Sequence, residues 1–462
     1  MVIRDPLQFH ENPAVIAWWC RVWGRALVWF SQPARRRWLL ALAALGVGTV
    51  TTWQTLTKHA SLPLPSAGWP AALVVLAQFV LLWLLYRAAG SYARLPAPVR
   101  RHPQWALHAT YWLLLLVLWV TTPAAGWWRG VLFALAILYP VVIWRCAYLV
   151  LAGQHGRMAG TGIQDHLLYL WPAYGGSNTP YGKGLGYLSL NEARTPEALA
   201  RSQLGGLKLL LLALVWRLVL TLFEGTVYGP GNGLTRATGG LTLAVPDLPT
   251  LLVQGMAVTP IAAWASVYCQ LFEDVLRLAI KGHLIVGMLR LWGFNVFRNT
   301  YKPLLAESVV EFWNRYFYYF KELLSTFFFM PTFTGVGKRL KHWPRLRLLA
   351  AVFAAAFVGN VYYHVIKDAT ALAQGQLLQV LQAHQSRMFY CLLLALGIFV
   401  SMLREQRRRG DTVGSGSGSG SASRWLRIFG VWSFFSLISI WNAEGGAAFA
   451  SRMYFFMGLF LL

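Results

Sequence analysis

Apolar runs separated by short basic gaps dominate the chain from residue 38 onward. A helix needs roughly 20 apolar residues to cross the ~30 Å hydrocarbon core of a bilayer. Runs approaching that length are Trp38–Trp53, Pro70–Tyr86, Trp105–Val120, Gly130–Leu151, Leu207–Phe223, Leu251–Tyr268, Leu348–His364, Met388–Leu403, Trp425–Trp441 and Ala447–Leu462. Two more segments, Leu271–Trp292 and Ser308–Met330, are long and apolar but interrupted by charge. They read as buried, tilted or re-entrant helices lining an interior. The expected fold is all-α and polytopic, with about 10–12 transmembrane or re-entrant helices around a central funnel.

The gaps between runs assign sides. "RAAGSYARLPAPVRR", the stretch from Arg157 to Arg201, the Lys338-to-Arg347 loop and the loop at Arg404 are rich in Arg and Lys. "KHASLPLPSAG", "TTPAAG" and "EGTVYGPGNGLTRATGG" are poor in charge and fall between them. The positive-inside bias therefore predicts that the basic loops are cytoplasmic. Before the first run, residues 1–37 include "VIAWWCRVWGRALVWF", whose Trp, Val and Leu interleave with Arg21 and Arg25. That mixture predicts an amphipathic helix lying in the membrane interface. Residues 38–205 read as an N-terminal set of membrane helices with a cytoplasmic loop. "GSGSGSGSAS" (Gly414 to Ser423) reads as a flexible linker between two spans.

Composition agrees with lipid as the solvent. The chain is 57% hydrophobic, 15% aromatic and 12% charged, against about 25% charged in ordinary soluble domains. A formal net charge of +25 raises the question of nucleic acid. No nucleic-acid motif accompanies it, and the cations cluster in "ARRRW", "GKRLKHWPRLR" and "REQRRRG" beside apolar runs. A basic cytoplasmic face would attract membrane lipids and acidic carriers such as coenzyme A or acyl carrier protein. Cys20, Cys146, Cys269 and Cys391 are scattered without paired spacing, so neither a disulfide framework nor a metal site is expected. The polar opening "MVIRDPLQFHENP" does not suggest a cleavable signal. The glycine-rich "GGSNTPYGKGLG" and "GPGNG" follow no predicted strand, so they do not suggest phosphate cradles.

The candidate chemistry lies in "FVGNVYYHVIKD", where Asn360, His364, Lys367 and Asp368 close an apolar run. Ionisable side chains at membrane depth are expensive and mark function or pairing. Acyl transfer to an alcohol needs a base for the hydroxyl proton, and histidine titrates nearest neutrality. It also needs a donor aimed at the developing oxyanion, which an amide such as Asn314 or Asn360 can supply. Asp368, four residues after His364, either orients the imidazole or pairs with a cation at the membrane surface. Trp313 and Tyr316 share a helical face at i, i+3 and suit either packing or a substrate tunnel. Arg315 suits either an anchor or a contact to donor phosphates. Asn314 and His364 also admit purely structural readings, as a helix-packing amide and a satisfied core histidine.

The stretch from Val267 to Pro331 resembles the membrane-bound O-acyltransferases, especially their bacterial alginate-acetylating branch, and the resemblance covers about residues 206–462, which it implies are the acyltransferase core. Arg290, Leu291, Trp292, Gly293 and Phe294 match one phrase of that family. Asn299, Tyr301, Pro303, Leu304, Ala306, Ser308, Glu311, Phe312, Trp313 and Arg315 match the next. "FVGNVYYH" stands where the family has its histidine phrase, and "SLISIWNAEGGAAFASRMYFFMGLF" resembles its closing spans. The pattern departs at Phe317, where that branch has a second histidine, and at Val365 after the phrase. The resemblance implies an O-acyltransferase with His364 as general base and Asn314 as partner, Asn360 and Asp368 supporting, and Trp313, Tyr316, Arg315, Tyr363 and His283 lining the site. It also implies a donor such as acyl-CoA or another acyl thioester, no permanently bound cofactor, and an exported polysaccharide or lipid as acceptor. Partner proteins of a glycan-modification system and a bacterial inner membrane location go with it. The rival reading is a non-catalytic scaffold or transporter with the same polar interior.

Overall fold

The computed structural model describes residues 6–58, 69–121, 126–170, 178–229, 242–255, 258–411 and 421–460. Linker residues 414–420, and most of the three charge-poor loops, lie outside the described residues. Among the described residues the chain is all-α. Its one β-type contact is an isolated bridge between Glu192 and Phe294.

Seven described helices are long and apolar enough to cross a membrane: Pro33–Lys58, Ala71–Gly90, Pro103–Val120, Trp127–Gln154, Pro196–Val227, Pro344–Val365 and Gln385–Arg407. The chain is a polytopic, all-α integral membrane protein. It folds into two units. The first holds Met1–Leu210, Leu284–Phe297 and Val365–Val380; the second holds Leu211–His283, Arg298–His364 and Leu381–Leu462.

In the first unit, helix α1 (Pro13–Phe30) starts on Asn12, whose side chain accepts from the Ala14 N–H at 3.0 Å. Ile16 and Leu27 bury one face against Leu199, Ala200 and Leu204, while Trp18, Trp23 and Trp29 stay exposed. The helix thus has one buried face and one exposed, tryptophan-rich face. Helix α2 (Pro33–Lys58) opens with a buried charge cluster. Arg36 lies 3.1 Å from Glu192 with both side chains fully buried, and its Nη2 donates to the Ala193 carbonyl at 2.7 Å. Arg37 meets the other Glu192 oxygen at 2.6 Å. Gly293, at φ +89°, sits under Arg36, where a Cβ would stand 2.6 Å from Nη1. Only glycine fits there.

Helices α3 (Trp69–Gly90), α4 (Pro103–Val120) and α5 (Trp127–Gln154) pack together. Gly153 makes the closest approach, since a Cβ would lie 2.5 Å from the Ala89 carbonyl oxygen. Trp119 Nε1 ties α4 to the short helix Ala369–Ala373 by donating to the Leu372 carbonyl at 2.7 Å. Helix α6 (Pro196–Val227) begins in this unit and continues into the second.

The second unit differs from the expected spans in instructive ways. The run Leu251–Tyr268 is broken, because helix Leu248–Gln254 ends on left-handed Gly255 and helix α7 (Pro260–Leu291) starts on a proline. The charges in Leu271–Trp292 leave α7 unbroken. They pair along the helix instead, with Gln270 donating to Asp274 at 2.9 Å and Arg277 Nε to Glu273 at 2.7 Å. Ser308–Met330 is not one helix. Helix α8 (Val309–Tyr316) and helix α9 (Tyr318–Leu324) meet at Phe317, whose φ −134°, ψ 75° is non-helical. Ser308 caps α8 by accepting from the Glu311 N–H at 3.1 Å, and Glu311 reaches back to the Glu307 N–H at 2.7 Å.

A π-helical segment, Ser325–Phe329, follows α9, and a second, Ala354–Gly359, joins helix α10 (Pro344–Phe353) to helix α11 (Asn360–Val365). The two segments pack on each other, and a Cβ on Gly359 would lie 2.7 Å from the Phe328 ring. Helix α12 (Gln385–Asp411) packs against the second. Helix α13 (Ser421–Ser439) stacks Phe435 on Phe312 at 3.8 Å between ring centroids. Beyond its end, buried Arg452 of helix α14 (Phe449–Gly458) donates to the carbonyls of Ile440, Ala443 and Ala447. That arrangement satisfies buried backbone oxygens of the loop between the two helices. At ten residues, α14 is too short to span a bilayer alone.

Candidate functional site

His364 is the penultimate residue of the helical stretch that begins at Pro344, about one turn beyond a π segment. Such wide turns occur often at functional sites. The imidazole is half-buried and walled by aromatics, with Tyr363 edge-on at 5.3 Å and Phe320 edge-on at 6.2 Å. Its polar neighbour is Arg387, in the first turn of α12. Arg387 Nη1 lies 2.6 Å from Nδ1 and 3.4 Å from Nε2. A guanidinium only donates, so the facing nitrogen must present a lone pair. Assigned from this geometry, the ring is neutral, with Nδ1 accepting and its proton on Nε2.

A wider polar group surrounds this pair in the same unit. Tyr390 lies one turn along α12 from Arg387 and within electrostatic reach of it. Asp274 acts electrostatically on both Tyr390 and Tyr316. Asp274, Tyr316, His364, Arg387 and Tyr390 are all half-buried, neither sealed nor fully open. They bring a carboxylate, two phenols, an imidazole and a guanidinium into one neighbourhood of an apolar unit. Charged and polar groups in such surroundings are costly unless paired or used.

The expected lining residues divide. Tyr363 is buried with its ring 4.7 Å from Phe320, and Trp313 is buried with its ring 6.2 Å from the same residue, so both build the wall behind His364. Phe317 lies 5.3 Å from Phe320 and extends that wall. Tyr316 packs on Phe312 at 5.2 Å between ring centroids. Arg315 pairs with Glu311 on its own helix and donates to the Lys302 carbonyl at 3.4 Å, which makes it a local clasp.

The expected second members of the site fare differently. Asn314 is exposed on α8, and no described contact brings it to His364. The neighbour found there is Arg387. Asn360 is buried one turn before His364. His283 is buried, and its Nδ1 pairs with the Ala279 carbonyl on its own helix. Asp368 does not share a helical face with His364, because α11 ends at Val365 and Asp368 has ψ +43°; its side chain is exposed. Among the described residues, no three His, Cys, Asp or Glu side chains are grouped to hold a metal ion.

Arg387, Tyr390 and Asp274 were the residues missed. A span begun at Met388 leaves Arg387 one residue outside, although a lone arginine opening an apolar helix is itself a signal. No protein-family profile matches the chain, and comparison with characterised proteins finds no match.

Proposed function

We propose that the second unit is the reaction centre of a membrane-embedded O-acyltransferase working on a cytosolic acyl thioester. The observation that carries this is the half-buried His364, neutral on the side facing Arg387, at the end of a membrane-length helix. The phrases around Glu311, Trp313 and His364 support the same reading. An acceptor hydroxyl gives its proton to the imidazole as its oxygen attacks the thioester carbonyl. The C–S bond then breaks, and the leaving thiolate takes the proton back from the imidazolium. As the acceptor takes its place against the ring, Arg387 turns its N–H groups to the carbonyl oxygen that becomes negative. The aromatic wall of Phe320, Tyr363 and Trp313 keeps water from the thioester.

The proposed donor is acyl-CoA or an acyl carrier protein reaching the basic loops, which we place in the bacterial cytoplasm. The proposed acceptor is a hydroxyl of an exported polysaccharide or lipid. The test is thiol release from acetyl-CoA by the protein in nanodiscs, with polysaccharide or lipid alcohol as acceptor. Acceptor-dependent release that His364→Ala abolishes supports the proposal, and equal release by both proteins ends it. A second reading, a non-catalytic scaffold or transporter, is favoured by Arg387 occupying the His364 lone pair and by Phe317 replacing a second histidine.

A further inference from the structure

An apolar groove in the first unit belongs to none of this chemistry. It runs between α3, α4 and α5 and holds about 670 Å³, a volume typical of ligand sites. Its walls are almost wholly aliphatic, and its few polar members, Gln78, Tyr92, Thr110 and Tyr139, already have hydrogen-bond partners. Thr110 and Tyr139 share a hydrogen bond at 2.7 Å, and Gln78 donates to Thr52 at 3.1 Å. An occupant therefore meets no call for directed polar contacts and must be apolar along its length.

Length and charge narrow the occupant further. The α3 side of the groove runs from Gln78 to Ala89, which is ~17 Å at about 1.5 Å per residue. One leaflet of hydrocarbon is about 15 Å deep. At one end the lining passes into the loop after α3, through Tyr92, Leu95 and Val99. That loop carries Arg94, Arg100 and Arg101, all exposed. The sequence has no Asp or Glu between Glu11 and Asp165, and among the described residues none of these three arginines has an ion pair. A leaflet-length apolar trough thus opens under uncompensated positive charge.

We propose that the groove is a specific site for an anionic phospholipid of the leaflet on the side of this loop. One acyl chain lies between α3, α4 and α5, and the phosphate sits on Arg94, Arg100 and Arg101. Charge of this kind attracts anionic headgroups, while the groove supplies what a bare basic patch lacks.

The test uses the full chain in nanodiscs of equal phosphatidylglycerol and phosphatidylcholine with matched chains. After transfer to mild detergent, retained lipid is read by native mass spectrometry. Phosphatidylglycerol should be retained about tenfold over phosphatidylcholine. Replacing Arg94, Arg100 and Arg101 together by Gln should bring the ratio near parity, and the triple Lys variant should keep the preference. Ala106→Phe, which fills the groove, should lower retention of both lipids. Parity in the unaltered protein, a preference surviving the triple Gln change, its loss in the triple Lys variant, or undiminished retention in Ala106→Phe would each overturn the proposal. Unfolding temperature in the same detergent identifies any variant that has lost its fold, and a single Arg100→Gln change, with a smaller shift of the ratio expected, then replaces it.

Discussion

Arg387 approaches His364 from the first turn of a different helix and points a nitrogen donor at Nδ1 from 2.6 Å. A guanidinium can only donate, so the two side chains meet as donor and lone pair, each carried by its own helix.

Removing the imidazole should remove transfer. On the proposed mechanism, His364→Ala lowers acceptor-dependent thiol release by roughly 10²–10⁴-fold, the usual contribution of a general base. Unfolding temperature should barely move, because the ring is only half-buried. Transfer that survives in this variant would exclude His364 as base.

Arg387→Gln and Arg387→Lys separate two roles for the guanidinium. If it supports the oxyanion, Gln should cost roughly 10²–10³-fold in kcat with little change in KM. Lys, which keeps the charge, should recover part of that loss. A change confined to KM would instead make Arg387 a contact to the donor.

The Glu192 carboxylate holds both Arg36 and Arg37, and its side chain is fully buried. Glu192→Leu strands a buried guanidinium, so a loss of about 3–5 kcal/mol is expected. Chemical or thermal unfolding of the purified protein measures it. Arg36→Met should cost less, because Glu192 keeps Arg37.

His166 lies on the short helix Ile163–Leu170, outside the membrane-length helices. Burial is the main force pushing its imidazole down to about 4, with Arg37 adding to it and Asp165 opposing. The unfolded chain then binds a proton that the folded chain refuses. Stability should therefore fall as pH drops from about 6.5 toward 4, by up to about 3 kcal/mol. His166→Gln should flatten that limb, and an unchanged slope would show that other groups carry it.

Gly359 packs against Phe328 where the π segments meet. Gly359→Ala should cost about 1–3 kcal/mol through overpacking. Phe328→Leu in the same chain should recover most of it, and failure to do so would mean the glycine serves the backbone instead.

Hydropathy alone made the membrane class legible, because few other solvents tolerate runs such as Trp127–Gln154. The breaks were harder to see. Phe317 carries no local sign of a helix stop, and Gly255 with Pro260 reads as a break only once the expected span is doubted. His364 could be picked out because it is ionisable inside an apolar run. Its partner could not, since the contact joins residues 23 positions apart on helices whose pairing no periodicity encodes. Asp368 failed for a local reason: i, i+4 spacing means a shared face only while the helix lasts.

The π segment Ala354–Gly359 has one further implication. A π turn behaves as a single surplus residue lodged in an α-helix, and each residue of an α-helix turns the chain by about 100°. Wound as ordinary α-helix, the same residues would carry the chain further round, and Tyr363 and His364 would swing about a quarter-turn around the axis. The imidazole would then face away from Arg387. The direction in which this histidine looks thus rests on the wide turn that absorbs one surplus residue upstream of it.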